Sequence, residues 1–170
     1  MLGLYENFPV TIHLSETYAS TLSRQKLQQK LVSVFQEING RALSFEEMGN
    51  PAVPNCSVIF MFGIADTDGF KFLNEAQARR LHEAISSRSL HAMDWFCAIR
   101  YYKNTQPKRT PLKFDYYVLR IAFTEKDTVQ FQVSHERGPR YISPEEFVSF
   151  IVRNFDSKSK RKILQRKSEG

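Results

Sequence analysis

MDWFCAIRYY at 93–102, FDYYVLRIAF at 114–123 and TVQFQVS at 128–134 decide the fold, because each alternates with a period of two and turn-forming residues separate them. On one side they carry Met93, Trp95, Cys97, Ile99 and Tyr101, then Tyr117, Leu119, Ile121 and Phe123, then Val129, Phe131 and Val133. That side is core. The opposite side carries Phe96, Ala98, Arg100 and Tyr102, then Phe114, Tyr116, Val118 and Arg120, then Gln130, Gln132 and Ser134. The three stretches read as an antiparallel meander. Glu125-Lys126-Asp127 makes the tight connection, and KNTQPKRTPLK at 103–113 makes a long basic one.

Upstream, Ser57–Ile64 (SVIFMFGI) is apolar on both alternating faces, as a covered central strand is. Asp66-Thr67-Asp68-Gly69 turns it into a hairpin with Phe70–Leu73. Val10, Ile12 and Leu14 alternate with polar residues and predict a first strand after Pro9, while residues 41–55 read as a loop.

Three amphipathic helices follow from helical spacing and caps. Leu27, Leu31, Val34, Phe35 and Ile38 define the first, with Ser23 as N-cap and Asn39-Gly40 as stop. Ala78, Leu81 and Ile85 define the second, running to about Ser87, and Asn74 with Gln77 has the spacing of a reciprocal cap. The third opens on Ser143-Pro144-Glu145-Glu146, a capping box with proline at the first helical position, and Ile142 and Phe147 occupy the staple positions. The expected class is α+β: a mostly antiparallel sheet of about five or six strands, three helices, and a basic C-terminal tail. Residues 1–156 form one domain and 157–170 a flexible tail in this reading.

The formal net charge of +6 sits mostly in that tail, where Lys158, Lys160, Arg161, Lys162, Arg166 and Lys167 face only Glu169, leaving +1 for residues 1–156. A polyanion such as nucleic acid is the partner such a run attracts, with a salt-dependent phosphate term and no sequence readout. A solvated, merely solubilising tail is the plainer alternative. Cys56 and Cys97 exclude a disulfide framework and read as buried thiols. The chain has no apolar run of roughly 20 residues and no basic-then-apolar start. It reads as intracellular, cytoplasmic or nuclear, without membrane insertion.

The mixed sheet face is the leading candidate site. Tyr102, Tyr116 and neighbouring rings offer stacking surfaces, and Arg100 and Arg120 offer guanidinium groups, the combination that single-strand-binding sheets use. Lys103, Lys108, Arg109 and Lys113 lie at its edge, and Arg137 and Arg140 flank Gly138-Pro139 before the last helix. The alternative is that a helix or second subunit covers the face, with its arginines paired to carboxylates such as Asp94 or Asp115.

The remaining chemistry is thin. His13 in IHLS and His135 in SHER suggest the acid-base pair of a two-histidine phosphoesterase, but His135 lacks the hydroxyl residue two positions on. Asp66-x-Asp68 opens like a calcium loop, yet Lys71 stands where glycine is required. Metal-ligand spacing and phosphate-binding glycine loops are missing, so no cofactor is expected. The functional expectation is a non-catalytic, nucleic-acid-associated binding module, a subunit of a larger assembly. A protein-interaction subunit or homodimer is the second reading and the phosphoesterase the third.

Overall fold

Among the described residues, three helices cover one face of an antiparallel sheet whose other face they leave open. The computed structural model describes residues 1–45, 55–104, 108–157, 159 and 161–167, except the side chain of Arg109. In chain order the elements are β1 (Leu14–Ser20), α1 (Arg24–Ile38), β2 (Ala42–Ser44), β3 (Cys56–Asp66), β4 (Gly69–Phe72) and α2 (Glu75–Ser87). Then come β5 (Ala92–Asn104), β6 (Arg109–Glu125), β7 (Thr128–Arg137), α3 (Pro144–Asp156) and β8 (Leu164–Arg166). The sheet has eight strands among the described residues, in the order β2-β3-β5-β6-β7-β1-β8, with β4 also paired to β3.

The α+β class and the meander stand, but the strand number is eight, not five or six. β2 and β8 are three-residue strands at opposite edges of the sheet, too short for alternation to register. β1 begins at Leu14, where the expected strand was to end. Its inward series is Leu14, Glu16, Tyr18, and Glu16 is buried there because the Tyr18 hydroxyl donates to its carboxylate at 2.6 Å. A carboxylate among inward positions hides the period. The basic connection at 103–113 contracts as well, since β5 runs on to Asn104 and β6 starts at Arg109. Part of the expected loop at 41–55 falls at 46–54, outside the described residues.

The helices follow their caps. Ser23 Oγ accepts from Lys26 N–H, and the Ser143–Glu146 box is complete in both directions. The α2 cap is only half reciprocal: Asn74 Oδ1 accepts from Gln77 N–H at 2.8 Å, whereas Gln77 Oε1 is buried with no hydrogen-bond partner among the described residues. Phe35 of α1 stacks on Phe62 at 4.3 Å and meets Trp95 edge-on at 4.8 Å, and Phe147 of α3 packs on Tyr117 and Phe60. All the inward meander residues named above are buried, as are Cys56 and Cys97. Burial pushes the Cys97 thiol up, which keeps it protonated and unreactive.

The stretch expected as a tail partly joins the fold. β8 pairs with β1 through Tyr18–Arg166, Ala19–Gln165 and Ser20–Leu164, and Ile163 and Leu164 are buried. Asp156 Oδ1 receives the Ile163 N–H at 2.7 Å, turning the chain from α3 onto the sheet edge. Among the described residues no helix is long and apolar enough to cross a membrane.

A candidate nucleic-acid interface on the open sheet face

The even residues of β5 and β6 and the odd residues of β3 point away from the helices, as the pairings Ile59–Arg100, Gly63–Phe96, Phe96–Val118 and Ala98–Tyr116 require. β4 adds Phe70 and Phe72, opposite Ala65 and Gly63. On this face the rings of Tyr5, Phe70, Phe96, Tyr116 and Phe114 form a continuous row. Successive centroids lie 4.7, 5.7, 5.3 and 4.7 Å apart, all with tilted planes. Phe114, at one end, is 42% exposed. Arg100 lies directly opposite Phe114 in the β5–β6 register, is exposed, and makes no ion pair among the described residues. Arg137 at the end of β7 is in register with Tyr116 and also exposed.

Of the other expected site residues, Lys103, Lys108 and Lys113 are exposed near the same end of the hairpin, and Tyr102 is half-buried opposite Ser57 and Pro111. Arg109 opens β6, its side chain outside the description. Arg120 does not stand free. Its Nε and Nη2 donate to Asp94 Oδ1 and Oδ2 at 2.8 and 2.9 Å, and Phe8 covers its guanidinium at 4.3 Å. Asp94 is fully buried, and its hydrogen bonds hold the arginine charged, with its pKa above the usual value. The N–H edge of Arg120 is therefore committed to neutralising Asp94, its register partner on β5, as the alternative of arginines paired to carboxylates had it.

Arg140 is likewise occupied. It adopts a left-handed backbone (φ 59°) and donates from Nε to His135 Nδ1 at 3.1 Å. A guanidinium only donates, so Nδ1 of His135 is the acceptor and Nε2 carries the hydrogen, which goes to Asp115 Oδ1 at 2.8 Å. Asp115 is fully buried and also receives the Tyr101 hydroxyl and the backbone N–H groups of Arg140 and Tyr141. Burial first, then the hydrogen bond to Asp115, raises the Tyr101 pKa far above the ordinary phenol value. Gly138 completes the latch: at φ +115°, a Cβ there would run into the Phe114 carbonyl and the Asp115 carboxylate. Asp115 shares the parity of the inward Tyr117, Leu119 and Ile121, but its partners come from distant segments, so the sequence does not show what satisfies it there.

His13 and His135 do face each other, with ring centroids 6.4 Å apart and nearly perpendicular planes. Both ring nitrogens of His135 are engaged, however, and His13 Nδ1 accepts the His135 backbone N–H at 2.9 Å. Burial, then Arg140 and His135, lowers the His13 pKa. The pair lacks two free nitrogens to move protons across a phosphate, and the geometry fits a structural clasp between β1 and β7. Among the described residues no three His, Cys, Asp or Glu side chains converge as a metal site.

The C-terminal cations are not gathered with these groups. Lys158 and Lys160 lie outside the described residues; Arg161 and Lys162 are exposed; Arg166 approaches Glu16 at 3.9 Å; Lys167 Nζ donates to Thr128 Oγ1 at 2.7 Å. β8 sits beside the Tyr18–Ser20 end of β1, next to the start of β7, whereas Arg137 ends β7. At about 3.3 Å per strand residue the two basic groups are roughly 25 Å apart along the sheet. No family model, curated protein or solved structure matches the chain.

Proposed function

We propose that the chain is a non-catalytic binding module that holds a single-stranded nucleic acid against its open sheet face. The row of rings from Phe70 through Phe96 and Tyr116 to Phe114, with Arg100 and Arg137 beside its exposed end, carries this reading. Every base has a π-face, so stacking on such a row is tolerant of sequence, while the neighbouring cations track phosphates. Lys103, Lys108 and Lys113 add charge at the same end. The C-terminal cations form a second, weaker contact for the same strand or for another segment of it.

A second reading has its own observation. Phe72, Leu112 and Phe114, three of the five exposed large apolar side chains among the described residues, lie on β4 and β6, and Val10 belongs to the segment crossing this face. Exposed apolar side chains of this kind also suit a protein partner or a second copy of the chain. Anisotropy of a labelled single-stranded oligonucleotide separates the two, read together with sedimentation of the protein alone. On the nucleic-acid reading Phe114→Ala weakens binding by about tenfold, the loss of one stacked base. On the alternative, the oligonucleotide does not bind and Phe114→Ala shifts a dimer towards monomer.

A further inference from the structure

The N-terminal segment crosses the open face without joining the sheet. Gly3 first wedges between strands, donating to the Ala65 carbonyl at 2.8 Å and accepting the Asp94 N–H at 2.6 Å. Tyr5 donates its N–H to Asp94 Oδ2 at 2.7 Å beside β5, and His13 donates its N–H to the Val133 carbonyl at 2.8 Å beside β7. Between these anchors, among the described residues, the one backbone–backbone hydrogen bond is Phe8 N–H to the Tyr5 carbonyl at 3.2 Å, which stays within the segment. A chain that passes over β6 without pairing to it is held there by side chains.

Two rings supply the grip. Tyr5 packs on Phe70 at the end of the aromatic row, and Phe8 lies 4.3 Å over the Arg120 guanidinium. Val10, just beyond, is 99% exposed. A nucleobase would make the second of these contacts with the same partner, π over guanidinium at Arg120. Because Arg120 stays bound to Asp94 through its edge, its flat face is what Phe8 uses and what a base would use.

We infer that residues 6–12 are a displaceable strap that occupies the Arg120 end of the platform in place of the nucleic acid and regulates how long a strand the face can engage. The inference rests on the reading of this face as a single-strand platform. With the strap closed, the accessible row ends near Phe96. When the strap lifts, the anchors at Gly3 and Tyr5 hold while Arg120 becomes a further stacking position. The strap thus competes with long strands and leaves short ones, bound at Phe114 and Tyr116, unaffected.

The test is anisotropy of labelled oligodeoxythymidylates of roughly 4 and roughly 15 nucleotides, lengths that bracket one module's site. Each is titrated with the full chain and with Phe8→Ala, whose folding is checked by its melting temperature. Phe8→Ala is expected to bind the long strand about fivefold tighter, the value of one cation–π contact removed from the competing strap, and the short strand unchanged. Phe8→Leu, which keeps bulk and removes the ring, is expected to act in the same direction. Equal affinities of all three proteins, or weaker binding by the variants, overturn the strap's role and leave the platform standing. If no protein binds either strand, the platform reading falls and the strap's role falls with it.

Discussion

Asp115 has no contact with solvent and accepts from four donors, which makes it the residue on which the end of the sheet depends. Its partners come from β5, from β7 and from the turn before α3, so one carboxylate ties three segments together. Asp115→Ala strands those donors in a buried site, where each lost partner costs about 1–3 kcal/mol. A loss of about 3 kcal/mol or more in denaturant-derived stability is expected, together with an altered position for Arg137. Asp66 serves a more exposed clamp. Its carboxylate accepts from Arg80 Nη1 at 2.6 Å and from Thr67 N–H at 2.8 Å, and the Arg80 hydrogen bond is the main cause that lowers its pKa to about 2. A carboxyl depressed in the folded state stabilises fully above its unfolded value, near 4, and that contribution is lost as pH falls through about 2. Stability of the wild type should therefore drop between pH 4 and pH 2 by more than that of Asp66→Asn; parallel curves would show that the clamp contributes nothing. At this scale the sequence was informative about identity and poor about role. Arg100 and Tyr116 were placed on the correct face by alternation alone. Alternation sets Arg120 on that face as well and Arg140 lies in the turn beside Gly138-Pro139, yet their hydrogen bonds to Asp94 and His135 withdraw their N–H edges from phosphates, and pairing between separate strands, as for Arg120, leaves no local signature.

Elements with strong local chemistry were legible, and elements defined by their neighbours were not. α1 and α3 carry side-chain caps and broad apolar stripes, and they form where those signals stand. β2 and β8 offer three residues each, and β8 is a strand because Leu164 and Ile163 have a core to enter. β1 was displaced by four residues because Val10 and Ile12 alternate as convincingly as Leu14 and Tyr18, and nothing local reveals that Glu16 is satisfied inside. The integration of β8 changes how the C-terminal charge is to be probed. Deleting residues 163–170 removes two buried side chains, each worth about 1.5–3 kcal/mol, so the truncation is expected to lower stability by on the order of 3 kcal/mol and to confound any loss of binding. Paired reversal of the exposed Arg161 and Lys162 to Glu removes charge without that cost: unchanged melting with a modest loss of affinity is the expected result. A melting temperature unaltered by the truncation would contradict the docked edge strand.

For the whole molecule, the helices seal one face of the sheet and the N-terminal segment only partly covers the other. That asymmetry gives the protein a flat, ring-rich surface with cations at one end and a second basic group at the far edge. Composition pointed to a polyanion through the total of +6, yet the total misleads about place, because most of it lies away from the rings. The central claim is that phosphates and bases meet the protein together at the Arg100–Phe114 end. Its most direct test is the salt dependence of single-stranded oligonucleotide affinity for a chain carrying the Arg161→Glu and Lys162→Glu reversals, with Arg100→Glu added in a second protein. Contacts from Arg100, Lys103, Lys113 and Arg137 predict a slope of about −3 in log affinity against log salt, at about 0.7 per phosphate, falling in magnitude by about 0.7 when Arg100 is reversed. No binding at low salt, or a slope that Arg100→Glu leaves unchanged, would contradict the account.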